Sequence, residues 1–171
     1  MVIWIDGTYG VGKSTIALKI KENLKNLSKE FIILESDEFY LNMIKENQFL
    51  AFGGSLPQNN NNFISRFRKE IMEKKDKNLI VVMALTQNEC KEDLFDCLIN
   101  SGINIIHFIL TAEKETIKSR INADESRDKN FSLEFLEFNQ NFLIDNFKDA
   151  KYINTENKDV NEVAKEILSY L

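Results

Sequence analysis

The sequence predicts an α/β fold in which a parallel sheet is covered by helices on both faces. Three observations predict it. Short, almost uninterrupted apolar runs such as Val2-Ile3-Trp4-Ile5 and Leu79-Ile80-Val81-Val82-Met83-Ala84-Leu85 read as strands buried on both sides. Amphipathic segments with apolar residues at helical spacing separate these runs. The two kinds of segment alternate along the whole chain, the order that builds strand–helix–strand units. With 171 residues, 43% of them hydrophobic, the chain carries enough apolar material for the core of one domain spanning 1–171.

Each element follows from its own pattern. Val2 to Ile5 forms the first strand, closed by Asp6-Gly7. From Lys13 to about Leu27, Ile16, Ala17, Ile20, Leu24 and Leu27 recur at helical spacing. Phe31-Ile32-Ile33-Leu34 is a second strand, followed by a helix from Asp37 to about Lys45. A helix near 63–75 precedes the third strand at Leu79–Leu85, and one near 90–101 precedes the fourth at Ile103–Leu110. Helices near 113–123 and 132–147 lead to a short fifth strand at Tyr152-Ile153. The helix at 160–171 shows a stripe of Val160, Val163, Ala164, Ile167, Leu168 and Leu171. Asp159 and Glu162 have the spacing of a capping box at its start. Gly53-Gly54-Ser55-Leu56-Pro57, followed by Asn59–Asn62, reads as a loop over the sheet edge, either a functional lid or a solvated connection.

Composition narrows the function. A net charge of −5 gives no electrostatic case for nucleic acid or anionic membrane as the main partner. Cys90 and Cys97, seven apart on a predicted helix, lie two turns or roughly 10 Å apart, too far for a disulfide. They read as reduced thiols, and a single histidine leaves no ligand set for structural zinc. The N-terminal residues lack the pattern of a signal peptide, and no apolar stretch is long enough to cross a bilayer. The expectation is a cytoplasmic monomer or homodimer acting on a small molecule.

Gly7-Thr8-Tyr9-Gly10-Val11-Gly12-Lys13-Ser14 fulfils G-x-x-x-x-G-K-[ST] in full, between a strand and a helix. Its glycines let backbone N–H groups turn inward as an anion nest at the helix N-terminus. Lys13 supplies a charge for the β- and γ-phosphates of ATP, the Ser14 hydroxyl a Mg²⁺ ligand, and Thr15 a contact to the α-phosphate.

The remaining candidates stand at strand ends. Glu35-Ser36-Asp37-Glu38 follows the second strand, and Asp37 is placed to orient or deprotonate an acceptor hydroxyl or to hold Mg²⁺ through water. Glu35 and Glu38 are secondary candidates, and the competing reading is that Ser36 or Asp37 caps the next helix. The third strand ends in Thr86-Gln87 without a carboxylate, which argues against motor-type ATPases. Arg120 and Arg127, with Lys118 and Lys129 nearby, suit a lid over ATP at about 121–131, because guanidinium groups fork onto phosphate oxygens. Arg66 and Arg68 could bind an anionic acceptor or lie on the surface. His107, inside an apolar strand, reads as a hydrogen-bonded core residue, and Phe135, Phe138, Phe142 and Phe147 read as core.

Ile3-Trp4-Ile5-Asp6-Gly7-Thr8-Tyr9-Gly10-Val11-Gly12-Lys13-Ser14 resembles the start of the tunicamycin-resistance ATP-binding family. The resemblance resumes at Leu79–Met83, at His107-Phe108-Ile109-Leu110 and from Lys114 to Arg120, and leaves about 36–75 unmatched. More broadly the chain is similar to nucleoside-monophosphate-kinase-like P-loop proteins. That resemblance implies a three-layer α/β/α P-loop NTPase fold with a five-stranded parallel sheet in order 2-3-1-4-5, a lid after the fourth strand, and ATP·Mg²⁺ as donor. It places the phosphate loop on Gly7–Ser14, the acceptor-side acid on Asp37 and the lid arginines on Arg120 and Arg127, with an acceptor-side insertion at about 36–75.

The function expected is an ATP- and Mg²⁺-dependent small-molecule kinase, with resistance to a nucleoside antibiotic such as tunicamycin implied by the family. The alternative is a nucleotide-dependent drug-binding protein that sequesters without chemistry. A GTPase switch is disfavoured: Asn157-Lys158-Asp159 is one residue too short for the guanine-reading N-K-x-D.

Overall fold

In the computed structural model the described residues are 1–45, 61–124 and 129–171. Within them, five parallel strands form one sheet in the order β2-β3-β1-β4-β5, as the resemblance implies. The strands are β1 (Val2–Gly7), β2 (Ile32–Glu35), β3 (Leu79–Val82), β4 (Ile105–Thr111) and β5 (Lys151–Asn154). The central strand pairs with β3 from Val2↔Leu79 to Ile5↔Val82, and with β4 from Val2↔Ile105 to Gly7↔Leu110.

Alternation along β1 divides its side chains between two cores. Ile3 and Ile5 face α1 (Lys13–Asn26) and α8 (Val160–Leu168), packing with Ile16, Ile20, Val163 and Ile167. Val2 and Trp4 face the other way, toward α2 (Ser36–Lys45), α3 (Asn61–Glu73) and α4 (88–100). Trp4 is completely buried, meets Phe95 edge-on at 5.1 Å, and donates from Nε1 to the Met83 carbonyl at 3.3 Å. Side chains of this size contribute about 1.5–3 kcal/mol each on burial, so the two faces of β1 anchor both cores.

Three elements depart from their sequence reading. The helix expected near 90–101 is α4, an α-helical turn at Asn88–Cys90, a π-helical stretch at Lys91–Asp96 and a second α-helical turn at Cys97–Asn100. Lys91 Nζ meets Asp96 Oδ2 at 2.6 Å across five residues, the register of a π-turn. Both cysteines of this helix are free, and burial raises the Cys90 thiol far above its usual range, with help from the nearby Asp6 charge. The third strand ends at Val82, short of the expected Leu85, because the chain leaves β1 there.

The single helix expected at 132–147 is broken at Phe135 into α6 (Lys129–Glu134) and α7 (Leu136–Asn146). Leu133 and Leu136 serve the α1/α8 core, whereas Phe142, Leu143 and Phe147 serve the opposite one, and the break lets the chain change partners. Phe138 consequently lies 54% exposed and is not part of the core. The capping box at the start of α8 is present as read: Asp159 accepts from the amides of Asn161 and Glu162, and Glu162 accepts from the amide of Asp159. Among the described residues no helix is long and apolar enough to cross a membrane.

Candidate active site

The turn from β1 into α1 carries the phosphate-loop motif. Gly12 ends it with φ 103° and ψ 18°, a left-handed conformation in which a side chain would strain the backbone. No side chain caps α1, so its first N–H groups point out of the protein at a helix N-terminus, which favours an anion. At Gly10, φ is 76° and an added Cβ would lie 2.6 Å from Ile121, so the loop packs directly on α5 (Lys114–Ala123).

A cavity of about 210 Å³ opens above this helix end. Tyr9, Gly10, Gly12, Lys13, Ser14 and Thr15 line it from the loop. Gly7, Thr8 and Val11 do not, and the side chains of Thr8 and Val11 are buried beneath. Lys13 Nζ donates to the carbonyls of Gly7 at 2.9 Å and Thr8 at 3.0 Å, and lies 5.6 Å from the Tyr9 ring centre. Across the cavity stand Glu35, Ser36 and Asp37, the strand end of β3 and, from α5 and its end, Arg120 and Asp124.

The second strand runs directly into its helix, so Ser36 and Asp37 lie inside the first turn of α2 and neither precedes it as a cap. Asp37 is exposed to the cavity and accepts from the Ser36 hydroxyl at 3.4 Å. Glu35, the last strand residue, accepts a short hydrogen bond from the Ser14 hydroxyl. The sequence ranked Glu35 below Asp37. The signal that could have raised it is parity along β2, which brings residue 35 to the sheet edge beside the loop, whereas residue 37 has already entered a helix.

Arg120 is fixed from two sides. It donates to the Val11 carbonyl at 3.5 Å, to the Thr155 hydroxyl at 3.0 Å and to the Thr155 carbonyl at 3.2 Å. Glu156, next in the chain, accepts from the Thr116 hydroxyl and from the Glu113 amide at the start of α5. Those two hydrogen bonds, with Arg120 adding attraction, hold the Glu156 carboxyl below the usual range. The turn between β5 and α8 is thereby bonded to α5. Arg120 also borders a second pocket of about 200 Å³, whose apolar wall includes Val11, Ile16, Val160 and Val163.

Other sequence candidates lie elsewhere. Arg66 is exposed in a groove between α2 and α3, donating to Asn62 Oδ1 at 3.3 Å, and Arg68 donates to the Asp93 carbonyl on α4. Lys118 pairs with Glu115 on the α5 surface at 2.7 Å. Arg127, the central part of the expected lid and the Gly53–Pro57 loop lie outside the described residues. His107 is a hydrogen-bonded core residue, as read, and its partner is Asp6, a fully buried acid that the sequence reading passed over. A lone charge at the end of an apolar strand was the available signal.

The residues fit a metal that brings other ligands with it. Among the described residues no cluster of three or more acids, histidines or cysteines could hold an ion unaided. Ser14 and Glu35 supply two oxygens, which suits Mg²⁺ completed by phosphate oxygens and water.

Comparison with known proteins agrees with this fold. The tunicamycin resistance protein of Deinococcus radiodurans superposes with a TM-score of 0.73 at 19% identity, over 99% of this chain and 94% of that one. The APS kinase of Mycobacterium tuberculosis, solved with AMPPNP and APS, gives 0.66 at 14% identity, over 98% and 95%. Shikimate kinase from Bacteroides thetaiotaomicron gives 0.63 at 14% identity, over 99% and 97%. No curated protein matches the sequence. The family model for adenylylsulphate kinase matches residues 1–120, and the chain therefore belongs to that family of P-loop phosphotransferases.

Proposed function

We propose that residues 1–171 form one catalytic unit that transfers the γ-phosphoryl group of ATP to a hydroxyl of a small, nucleoside-bearing acceptor. The observation that carries this reading is the convergence of Lys13, Ser14, Glu35, Asp37 and Arg120 on one cavity over an uncapped helix end. The apolar pocket beyond Arg120 suits the adenine base. Lys13 would exchange its loop carbonyls for phosphate oxygens, and the α1 amides would hold the same group by charge-assisted hydrogen bonds. Ser14 and Glu35 would hold Mg²⁺, which when bound neutralises charge developing on the phosphoryl oxygens.

Asp37 would take the acceptor proton as the new oxygen–phosphorus bond forms and the bond to the β-phosphate oxygen breaks, releasing ADP. Arg120, held at Thr155, would present a fixed positive charge between base and phosphates, and Arg127 would join it when the lid at about 121–131 closes. Phe39 and Tyr40, just beyond Asp37 on α2, pack on the buried Phe63 and Phe67 of α3, which anchors the helix that carries Asp37. An acceptor of this chemistry unites adenylylsulphate with nucleoside antibiotics such as tunicamycin, and resistance would follow from phosphorylating the drug. The expected setting is the cytoplasm, as a monomer or homodimer.

The test is incubation with ATP and Mg²⁺ against nucleoside antibiotics, adenylylsulphate and small metabolites, with mass spectrometry of each acceptor. A phosphate-sized mass gain that disappears in a folded Lys13→Ala variant is expected. ATP-enhanced binding of a compound without any phosphorylated product would replace transfer by sequestration.

A further inference from the structure

Asp6, next to last in the central strand, has no exposed surface, and both of its oxygens are engaged. Oδ1 accepts from the amides of Gly7 at 2.6 Å and Leu85 at 3.1 Å, and Oδ2 lies 3.0 Å from Nε2 of His107. An ionised carboxylate in a core is tolerated only when donors surround it. A carboxylate accepts and does not donate, so Nε2 of His107 carries the proton of that contact. The imidazole is gripped between Phe95 and Phe147, with ring centres at 4.7 and 4.9 Å.

The location gives the pair its consequence. Ladder pairing between β1 and β3 ends at Ile5↔Val82, and the strands part beyond it. Asp6 bridges the gap by taking the Leu85 amide with the same oxygen that takes the Gly7 amide. The Gly7 amide is thereby held on one side of its Cα, and on the other side the Gly7 carbonyl receives Lys13 Nζ at 2.9 Å. A chain of three hydrogen bonds thus runs from His107 through Asp6 and Gly7 to the lysine of the phosphate loop.

We propose that Asp6 and His107 are positioning residues: the proton on His107 Nε2 holds the Asp6 carboxylate, and that carboxylate fixes the backbone at Gly7, whose carbonyl parks Lys13 Nζ at the phosphate site until phosphate oxygens take its place. The effect on phosphate binding rests on the phosphotransferase reading, whereas the effect on loop conformation does not.

Asp6→Ala would strand two buried amides and risk unfolding, so the informative changes are at His107. His107→Phe keeps an aromatic ring between Phe95 and Phe147 but removes the donor, and His107→Gln restores one. Three readouts apply to the folded variants: hydrogen exchange at the Gly7 and Leu85 amides, AMPPNP affinity by calorimetry, and imidazole NMR of the wild type. The chain has one histidine, so the last needs no assignment. The expected result is an Nε2-protonated imidazole in the wild type whose signals shift on adding AMPPNP. His107→Phe should lose Gly7 protection and bind AMPPNP about tenfold more weakly, the scale of one buried charge-assisted hydrogen bond. His107→Gln should stay within about threefold of wild type. Full Gly7 protection in His107→Phe would overturn the proposal, as would lost protection with unchanged affinity. Failure of the wild type to bind AMPPNP would overturn the phosphotransferase reading instead, and exchange at Gly7 would still decide whether the pair fixes the loop.

Discussion

Glu35 and Asp37 stand two residues apart, yet one ends a strand and the other lies in the first turn of a helix. Their environments differ accordingly. Glu35 is bonded to the Ser14 hydroxyl, whereas Asp37 is open to the cavity where an acceptor would sit. Substitution should therefore separate two functions. Asp37→Asn is expected to lower kcat by about 10²–10⁴-fold with little change in KM for ATP, the scale of a lost general base. Glu35→Gln is expected to raise the Mg²⁺ concentration for half-maximal rate by about 10–100-fold. Steady-state rates measured across a Mg²⁺ titration distinguish them, and identical profiles for the two variants would refute the division. The sequence ranked Asp37 first because position and chemistry agreed. It ranked Glu35 lower, since the bond to Ser14 joins residues brought together only when β2 takes its place in the sheet.

The elements were legible where one periodicity served one core. The β1–loop–α1 unit and the capping box of α8 follow from local residues alone, and the structure contains both. The break at Phe135 and the π-turn in α4 were not legible. Neither contains the Pro or Gly that marks a helix break; the break at Phe135 arises from which core the neighbouring side chains reach, whereas α4 serves one core throughout. The same contrast applies to Arg120, whose partners lie 35 residues away on the far side of β5. The cap of α8 yields a pH prediction. Amide hydrogen bonds from Glu162 and Asn161 lower the Asp159 carboxyl below its usual value. A depressed carboxyl stabilises the fold above its unfolded pKa of about 3.9 and loses that contribution as pH falls through the folded value. Asp159→Ala should therefore melt below wild type at pH 7, and the gap should close as the pH drops below about 4. Thermal melts across that range check it, and a gap independent of pH would contradict the assignment.

At the scale of the molecule, one sheet carries two cores and gathers the site at the ends of its strands. The family match ends at residue 120, yet the guanidinium of that residue is bonded to Thr155, so the segment beyond the match completes the site. A ligand bridging these parts should stabilise the whole. At a hundredfold excess over its Kd, AMPPNP with Mg²⁺ is expected to add ~2.7 kcal/mol, a rise in Tm of several degrees. Lys13→Ala should lose that rise in a thermal melt, and an undiminished rise would place the nucleotide elsewhere. The packing of α1 on α8 carries a further consequence, in the order of synthesis. Ile16 and Ile20 pack on Ile3 and Ile5 of β1 and are covered from the far end of the chain by Val163 and Ile167, while β1 finds its neighbours in β3 and β4. On the ribosome, the phosphate loop is made early, but the strands that flank β1 follow only at residues 79–82 and 105–111 and the helix that covers α1 last of all. Until then the nascent chain leaves part of the apolar face of α1 uncovered, so nucleotide binding is expected to reach full strength only after α8 has been made.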